Sequence, residues 1–197
     1  KFKKRARVIF DFDDLVFDFY NNIPFLKYLI KARSFLPTTY GSVILCGNHN
    51  LVDYFKVKNE NDIDIVFLPS TVPISDFQVG KKLERVTLGW IGNPFTVKYL
   101  DLFLNNLLSA GEFKFSLLLC GVSREHLNKR FLNLEISFMD WSEKNEIYFL
   151  KIIDIGIMPL PDSHFEQFKS GYKIIQYFSF GIPVLCNPVG INNNYVV

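Results

Sequence analysis

Short apolar runs recur along the chain, separated by helix-like stretches, and this alternation restricts the fold more than any other feature. The clearest runs are Val86 to Gly92, Phe115 to Cys120, Ile153 to Leu160 and Val184 to Cys186. Weaker ones, Val8 to Phe12, Ser42 to Cys46 and Ile63 to Leu68, precede them. Each is rich in Val, Ile, Leu or Phe and is closed by Gly, Pro, Asn or Asp, as buried strands are. Between them lie helical patterns. Leu100, Phe103, Leu104, Leu107 and Leu108 form one stripe within Val97 to Ala110, and Gly111 follows as a stop signal. Ile23, Leu26, Leu29 and Ile30 do the same within Asn22 to Arg33, with Pro24 in the first turn. Further helices are expected over His49 to Lys56, Arg124 to Phe131 and Lys144 to Lys151, with a short strand around Glu135 to Phe138.

Strands alternating with helices specify βαβ units and a mostly parallel sheet, so the fold class is α/β. The second half reads as a near-complete doubly wound, Rossmann-like domain, residues 80 to 197. Residues 1 to 79 supply only part of another such layer, and Pro69 to Val79 reads as the connection. In such a domain ligands sit beyond the carboxyl ends of the strands. Those ends carry Gly92-Asn93, Gly121-Val122-Ser123, Pro159-Leu160 and Asn187-Pro188. Trp141 also falls there and is read as packing rather than as a stacking platform.

The stretch Ser163 to Gly190 carries the strongest chemical signal. Lys169, Ser170 and Gly171 precede a helix bearing Lys173, Gln176 and Tyr177, which Gly181 and Pro183 stop. A glycine turn leading into a helix N-terminus offers backbone N–H groups and a positive dipole end, which suits phosphate.

Composition narrows the partners. A hydrophobic content of 49% and charged content of 21% describe an ordinary globular protein. A net charge of +2 is too small for general nucleic-acid binding, and no such partner is expected. The basic run Lys1 to Arg7 reads as a solvated terminus, with contact to an anionic membrane surface as the alternative. Cys46, Cys120 and Cys186 lie far apart, each at or near the end of an apolar run, and lack metal-ligand spacing. They read as buried thiols in a reducing cytoplasm. No apolar run approaches the roughly 20 residues that span a bilayer. The first residue is not Met and the last three are Tyr195-Val196-Val197, so the chain is expected to be incomplete at both ends.

Lys169 to Tyr177, Phe180 to Val184 and Asn187 to Gly190 together resemble the donor-binding segment of the family 4 glycosyltransferases. Gly89 to Pro94 with Thr96, Tyr99 and Leu100, and then Asp154 to Leu160, match the same family in order. Asp11 to Phe17, Gly47-Asn48 with Leu51, and Leu68 to Thr71 match its N-terminal domain loosely. The resemblance implies a GT-B fold and a retaining, nucleotide-sugar-dependent hexosyltransferase acting in surface glycan or polysaccharide biosynthesis. On this reading the first part is the end of the acceptor-side domain and the rest binds the donor. The acceptor would be a glycan or lipid-linked glycan. The location would be cytoplasmic, peripheral at the inner membrane face where the basic terminus engages lipid. No cofactor or metal is implied.

By the same resemblance Gly92, Asn93, Thr96, Glu166, Lys169, Gly171, Lys173 and Gln176 would bind the donor, with Lys173 foremost at the diphosphate. Gln176 stands where relatives often have a ribose-binding Glu, and Phe168 where many have a Glu that contacts the sugar; Glu166 is the expected substitute. Catalytic residues are not identified, because they would lie mostly in the part not represented, and this chain alone is expected to bind donor nucleotide weakly and to turn over poorly or not at all. Two rivals stand beside this reading. Val8 to Asp13 resembles the first motif of haloacid-dehalogenase-like phosphatases, with Asp11 as nucleophile and Asp13 as acid/base at magnesium. Asp14 and Leu15 replace the Gly-Thr that such enzymes require. The other rival is a non-catalytic nucleotide-binding remnant. In a plain reading Asp11, Asp13 and Asp14 simply cap the following turn.

Overall fold

The computed structural model describes residues 7–16, 36–74, 85–111, 114–131 and 133–196. The expected helix over Asn22 to Arg33, most of the basic run at the start, and the end of the connection lie outside them. Eight strands are described: β1 (Ile9–Phe12), β2 (Val43–Cys46), β3 (Asp64–Phe67), β4 (Val86–Ile91), β5 (Phe115–Cys120), β6 (Ile136–Met139), β7 (Ile155–Met158) and β8 (Val184–Cys186). The α-helices are α1 (Leu36–Tyr40), α2 (His49–Val57), α3 (Val97–Ser109), α4 (Glu143–Ile152) and α5 (Tyr172–Ser179). Strands β1, β2 and β3 form one sheet in that order, and a second sheet runs β6-β5-β4-β7-β8. Every strand pairing is parallel.

The larger sheet is buried on both faces, which explains why its strands read as continuous apolar runs. Leu88, Trp90, Leu117 and Leu119 pack with Leu100 and Leu104 of α3 on one face. Ile91, Leu118 and Cys120 point to the other, against Phe149 and Leu150 of α4 and Tyr177 of α5. The alternation along each strand therefore separates the two cores.

One expectation is corrected, and one helix is new. Arg124 to Phe131 is not one helix but two short 3₁₀ turns, Arg124–His126 and Lys129–Phe131. The Ser123 hydroxyl bonds His126 at 2.9 Å and the Asn128 carboxamide accepts from the Arg130 N–H at 3.2 Å, so each polar side chain starts a new turn. The five-residue α1 was not foreseen; Pro37 lies in its first turn, where a missing N–H costs nothing. Among the described residues no helix is long and apolar enough to cross a membrane.

The loop before α5 is docked on the smaller sheet. Phe168 is buried in the cluster that contains Leu15, Ile44, Leu51 and Phe55. Asn48, buried, caps α2 by accepting from the Leu51 N–H at 2.9 Å, and its Nδ2 donates to the Phe168 carbonyl at 2.6 Å. Asn48→Ala removes a cap and leaves a buried carbonyl unpaired, and should cost about 2–3 kcal/mol, read as a lower urea midpoint. Asn48→Asp should recover the cap part alone. A midpoint unchanged in both would mean the loop is held by something else.

Candidate functional site

In the order β6-β5-β4-β7-β8 the chain runs outward from β4 in one direction and then returns to its other side. That reversal opens a crevice beyond the carboxyl ends of β4 and β7. Helix α5 enters it. Gly171, the residue before the helix, adopts a left-handed φ of 70°, and an added Cβ would lie 2.9 Å from the Ile191 Cγ2 methyl. The turn therefore favours glycine.

Lys173 is the second residue of α5. Its Nζ donates to the carbonyl of Ile91, the last residue of β4, and stands 5.9 Å over the Trp90 ring. Burial, and next the charge of Lys169, lower its pKa from 10.5 to about 8. Lys169 is partly buried, pairs with Asp14 at 2.9 Å, and lies 4.6 Å over the Phe165 ring. Two ammonium groups thus face one crevice, and Asp14 answers one of them.

Two cavities meet at Lys173. One, of about 190 Å³, is lined by Asp14, Trp90, Thr96, Tyr99, Lys169, Gly171 and Lys173 among others. The second, of about 280 Å³, is lined by Gly92, Asn93, Trp141, Glu146, Lys173 and Gln176 among others. The structure therefore brings all but one of the expected donor residues to the walls of these cavities. Asn93 also builds the entry to α3, its Oδ1 accepting from the N–H groups of Phe95 at 3.0 Å and Thr96 at 3.2 Å. The Thr96 hydroxyl returns a bond to the Asn93 carbonyl at 3.1 Å.

Glu166 lines neither cavity. It is buried, and its carboxylate accepts the hydroxyls of Tyr99 and Ser163. Burial first, and the bond to Glu166 second, hold the Tyr99 phenol well above its usual range. Tyr99, not Glu166, presents an atom to the crevice. Gln176 reaches the second cavity, but its Nε2 donates to the carboxylate of Glu146. Trp141 departs from the packing expectation: it is 59% exposed, on the rim of the same cavity. Glu146 was not singled out by the sequence, because its position on α4 reads as one more polar residue on a solvated helix face.

At the smaller sheet, Asp13 accepts the Ser70 hydroxyl at 3.0 Å, and Asp14 is committed to Lys169. No group of three acidic, His or Cys side chains that could hold a metal ion occurs among the described residues. His49 stacks on Phe67 with ring centroids 4.2 Å apart. The thiols of Cys46 and Cys120 are buried and pushed up to about 11, chiefly by desolvation.

No protein-family model matches the chain, and no curated protein sequence matches it. Among solved structures, Anabaena Alr3699/HepE in complex with UDP and glucose superposes with a TM-score of 0.71 at 10% identity, covering 100% of this chain and 56% of that one. The lipopolysaccharide outer core galactosyltransferase WaaB, in its apo form, gives 0.55 at 15% identity over 77% of this chain and 44% of its own. A mutant of S. aureus TarM in complex with Fondaparinux, alpha-GlcNAc-glycerol and UDP gives 0.60 at 10% identity over 84% of this chain and 34% of its own. The chain thus spans about half the length, or less, of these structures. At such identities the likeness is one of fold, and the fold is α/β of the GT-B type, with the parallel, Rossmann-like sheet topology expected from the sequence.

Proposed function

We propose that this chain is part of a retaining glycosyltransferase that moves a sugar from a nucleoside-diphosphate sugar to an acceptor hydroxyl. Residues 80–197 would bind the donor, and residues 1–79 would form part of the acceptor side. The carrying observation is the partly buried ammonium of Lys173, held at the end of β4 between two cavities with Lys169 beside it. Two cations in one desolvated crevice repel each other, and the ligand that relieves them is an anion with more than one charge. The UDP in the complexes of Alr3699/HepE and TarM supports a diphosphate there, as do the family 4 motifs.

In the reaction the bond from the sugar's anomeric carbon to the diphosphate oxygen breaks, and one to the acceptor oxygen forms. The acceptor's proton is released, and the nucleoside diphosphate departs. Lys173, Lys169 and the amide groups of the Gly92-Asn93 and Ser170-Gly171 turns would stabilise the charge on the departing group. Thr96 would flank the phosphates, and Glu166 would hold Tyr99 against the donor. This charge is met without metal or cofactor. The acceptor would be a glycan or lipid-linked glycan in surface polysaccharide synthesis. The site would face the cytoplasm, and Lys1 to Arg7 would touch the membrane.

Thermal-shift titration with UDP, GDP and their sugar conjugates, with and without magnesium, tests this. One nucleoside diphosphate should stabilise the chain equally in both conditions. A bound diphosphate favours the ammonium form of Lys173, so above pH 8 binding should take up a proton, and affinity should fall as pH rises through about 8. No stabilisation by any nucleotide would sink the reading, and a magnesium-dependent shift lost in Asp11→Asn would replace it with the phosphatase.

A further inference from the structure

We propose that Asp14 is an internal counter-ion of the crevice: its carboxylate takes the anion position at Lys169, and a diphosphate binds by displacing it. This rests on the donor reading above and adds a residue from the other half of the chain that sets how tightly an anion is held.

The pair is built into the fold. Asp14 lies in the turn after β1 and Lys169 in the loop before α5, 155 residues apart, yet Nζ stands 2.9 Å from Oδ2. Their chain neighbours, Leu15 and Phe168, are buried in one apolar cluster with Ile44 and Leu51. The turn that carries Asp14 is fixed as well. The Ser70 hydroxyl donates to Asp13 at 3.0 Å, and the Val16 N–H donates to the Asp14 carbonyl at 2.9 Å. Aspartate has a short side chain on this fixed backbone, whereas a lysine ammonium sits on a flexible four-carbon stem. Of the two partners, Lys169 is the one that can turn.

The place of the carboxylate separates it from an ordinary bridge. Among the described residues that line the cavity of about 190 Å³, Asp14 alone comes from the half of the chain that holds the smaller sheet. It is also the one carboxylate among them, in a space that Lys169 and Lys173 both face. Lys173 donates to the neutral carbonyl of Ile91, and Glu146 acts on it from the second cavity, where it is bonded to Gln176 and Trp141. Lys169 is therefore the ammonium for which an incoming anion finds a competitor already in place.

As a bridge between the sheets the pair contributes little. Its side chains are 25% and 32% exposed, and ion pairs of that kind stabilise weakly. As a competitor it has two effects of the same sign. Pairing withdraws Lys169 from an incoming anion by roughly two- to fivefold. The carboxylate left behind then repels the bound diphosphate, more strongly than in water because the crevice is partly desolvated. When the nucleoside diphosphate departs, Asp14 recovers Lys169, so the site loosens its hold on product while keeping both lysines.

Inorganic pyrophosphate and UDP should be titrated by calorimetry into wild type, Asp14→Asn, Asp14→Glu and Asp13→Asn. Asp14→Asn should bind both anions on the order of tenfold more tightly, although its urea midpoint falls. Asp14→Glu keeps the charge and should stay within about threefold of wild type. Asp13→Asn removes an equal charge from a neighbour that does not line the cavity, and should gain much less. A second measurement needs no variant. In wild type, zero-length carbodiimide coupling should join Asp14 to Lys169, read by mass spectrometry of the digest, and saturating pyrophosphate should suppress it. Equal or weaker binding by Asp14→Asn, or an equal gain in Asp13→Asn, would overturn the inference and leave the donor reading standing. Coupling that pyrophosphate leaves unchanged would do the same. If wild type and Asp14→Asn both fail to bind either anion, the donor reading falls, and this inference with it.

Discussion

Lys173→Met should reduce nucleoside-diphosphate affinity by about 100-fold while leaving the fold at least as stable as wild type. Charge-assisted bonds to one phosphate group are worth roughly 1.5–3 kcal/mol each, and ten-fold in affinity is about 1.4 kcal/mol. Losing one or two of them accounts for the loss. Stability moves the other way because the ammonium is desolvated and feels the charge of Lys169, and methionine places an uncharged, unbranched side chain there. The pH dependence separates the two effects. The folded-state pKa, about 8, lies below the ordinary 10.5, so between these values the unfolded chain binds more protons and stability rises with pH. In Lys173→Met that rise should vanish. Urea melts at pH 7 and pH 10, with calorimetric titration of UDP, measure both. A variant that lost affinity and stability in parallel would show Lys173 to be structural.

The second large effect belongs to Gly121, at the end of β5. Its φ is +88°, and an added Cβ would sit 2.2 Å from the backbone oxygen of Gly92. The Gly121 N–H also donates to the Met139 carbonyl at 3.0 Å, so the residue cannot swing away without breaking the ladder. Gly121→Ala combines left-handed strain of ~1–2 kcal/mol with overpacking of ~1–3 kcal/mol. The sum, roughly 3 kcal/mol, should appear in the urea midpoint. The displaced group is the Gly92 turn, which lines the second cavity, so nucleotide affinity should fall as well. Gly171→Ala is the useful comparison. Its φ of +70° brings the same strain, but the obstacle is a side-chain methyl at 2.9 Å that can rotate. It should cost less.

How much of this was legible before any coordinates depends on what each residue had to satisfy. Phe115 to Cys120 is legible at its observed bounds because a strand covered on both faces leaves an uninterrupted apolar run, and Val184 to Cys186 because Pro183 and Asn187 punctuate it, although Leu185 is exposed. The turn at Gly171 and the helix carrying Lys173 were legible because a glycine just before a helix is a local pattern. Arg124 to Phe131 misled because local side-chain bonds by Ser123 and Asn128 outcompete a weak helical repeat. Glu146, Trp141 and the Asp14–Lys169 pair were not legible as a site. They meet only when α4, the end of β6, α5 and the turn after β1 are brought together, across separations that reach 155 residues for Asp14 and Lys169. Periodicity records which face a residue occupies; it carries no record of what stands opposite.

The burial of Phe168 among the residues of the smaller sheet has a consequence of its own. Lys169 follows it directly, so the backbone that carries the cation cannot shift unless Phe168 is carried along or drawn out of that core, and only the side chain can turn by itself. The two sheets are thereby linked: a shift of one on the other that moves the Lys169 backbone and its Asp14 partner should alter affinity for an anion at Lys169. By reciprocity the anion must bias that placement by the same factor. A substitution in α2, such as Leu51→Ala, makes no contact with either cavity, yet it would be reported at the far end of this lever as a change in diphosphate affinity.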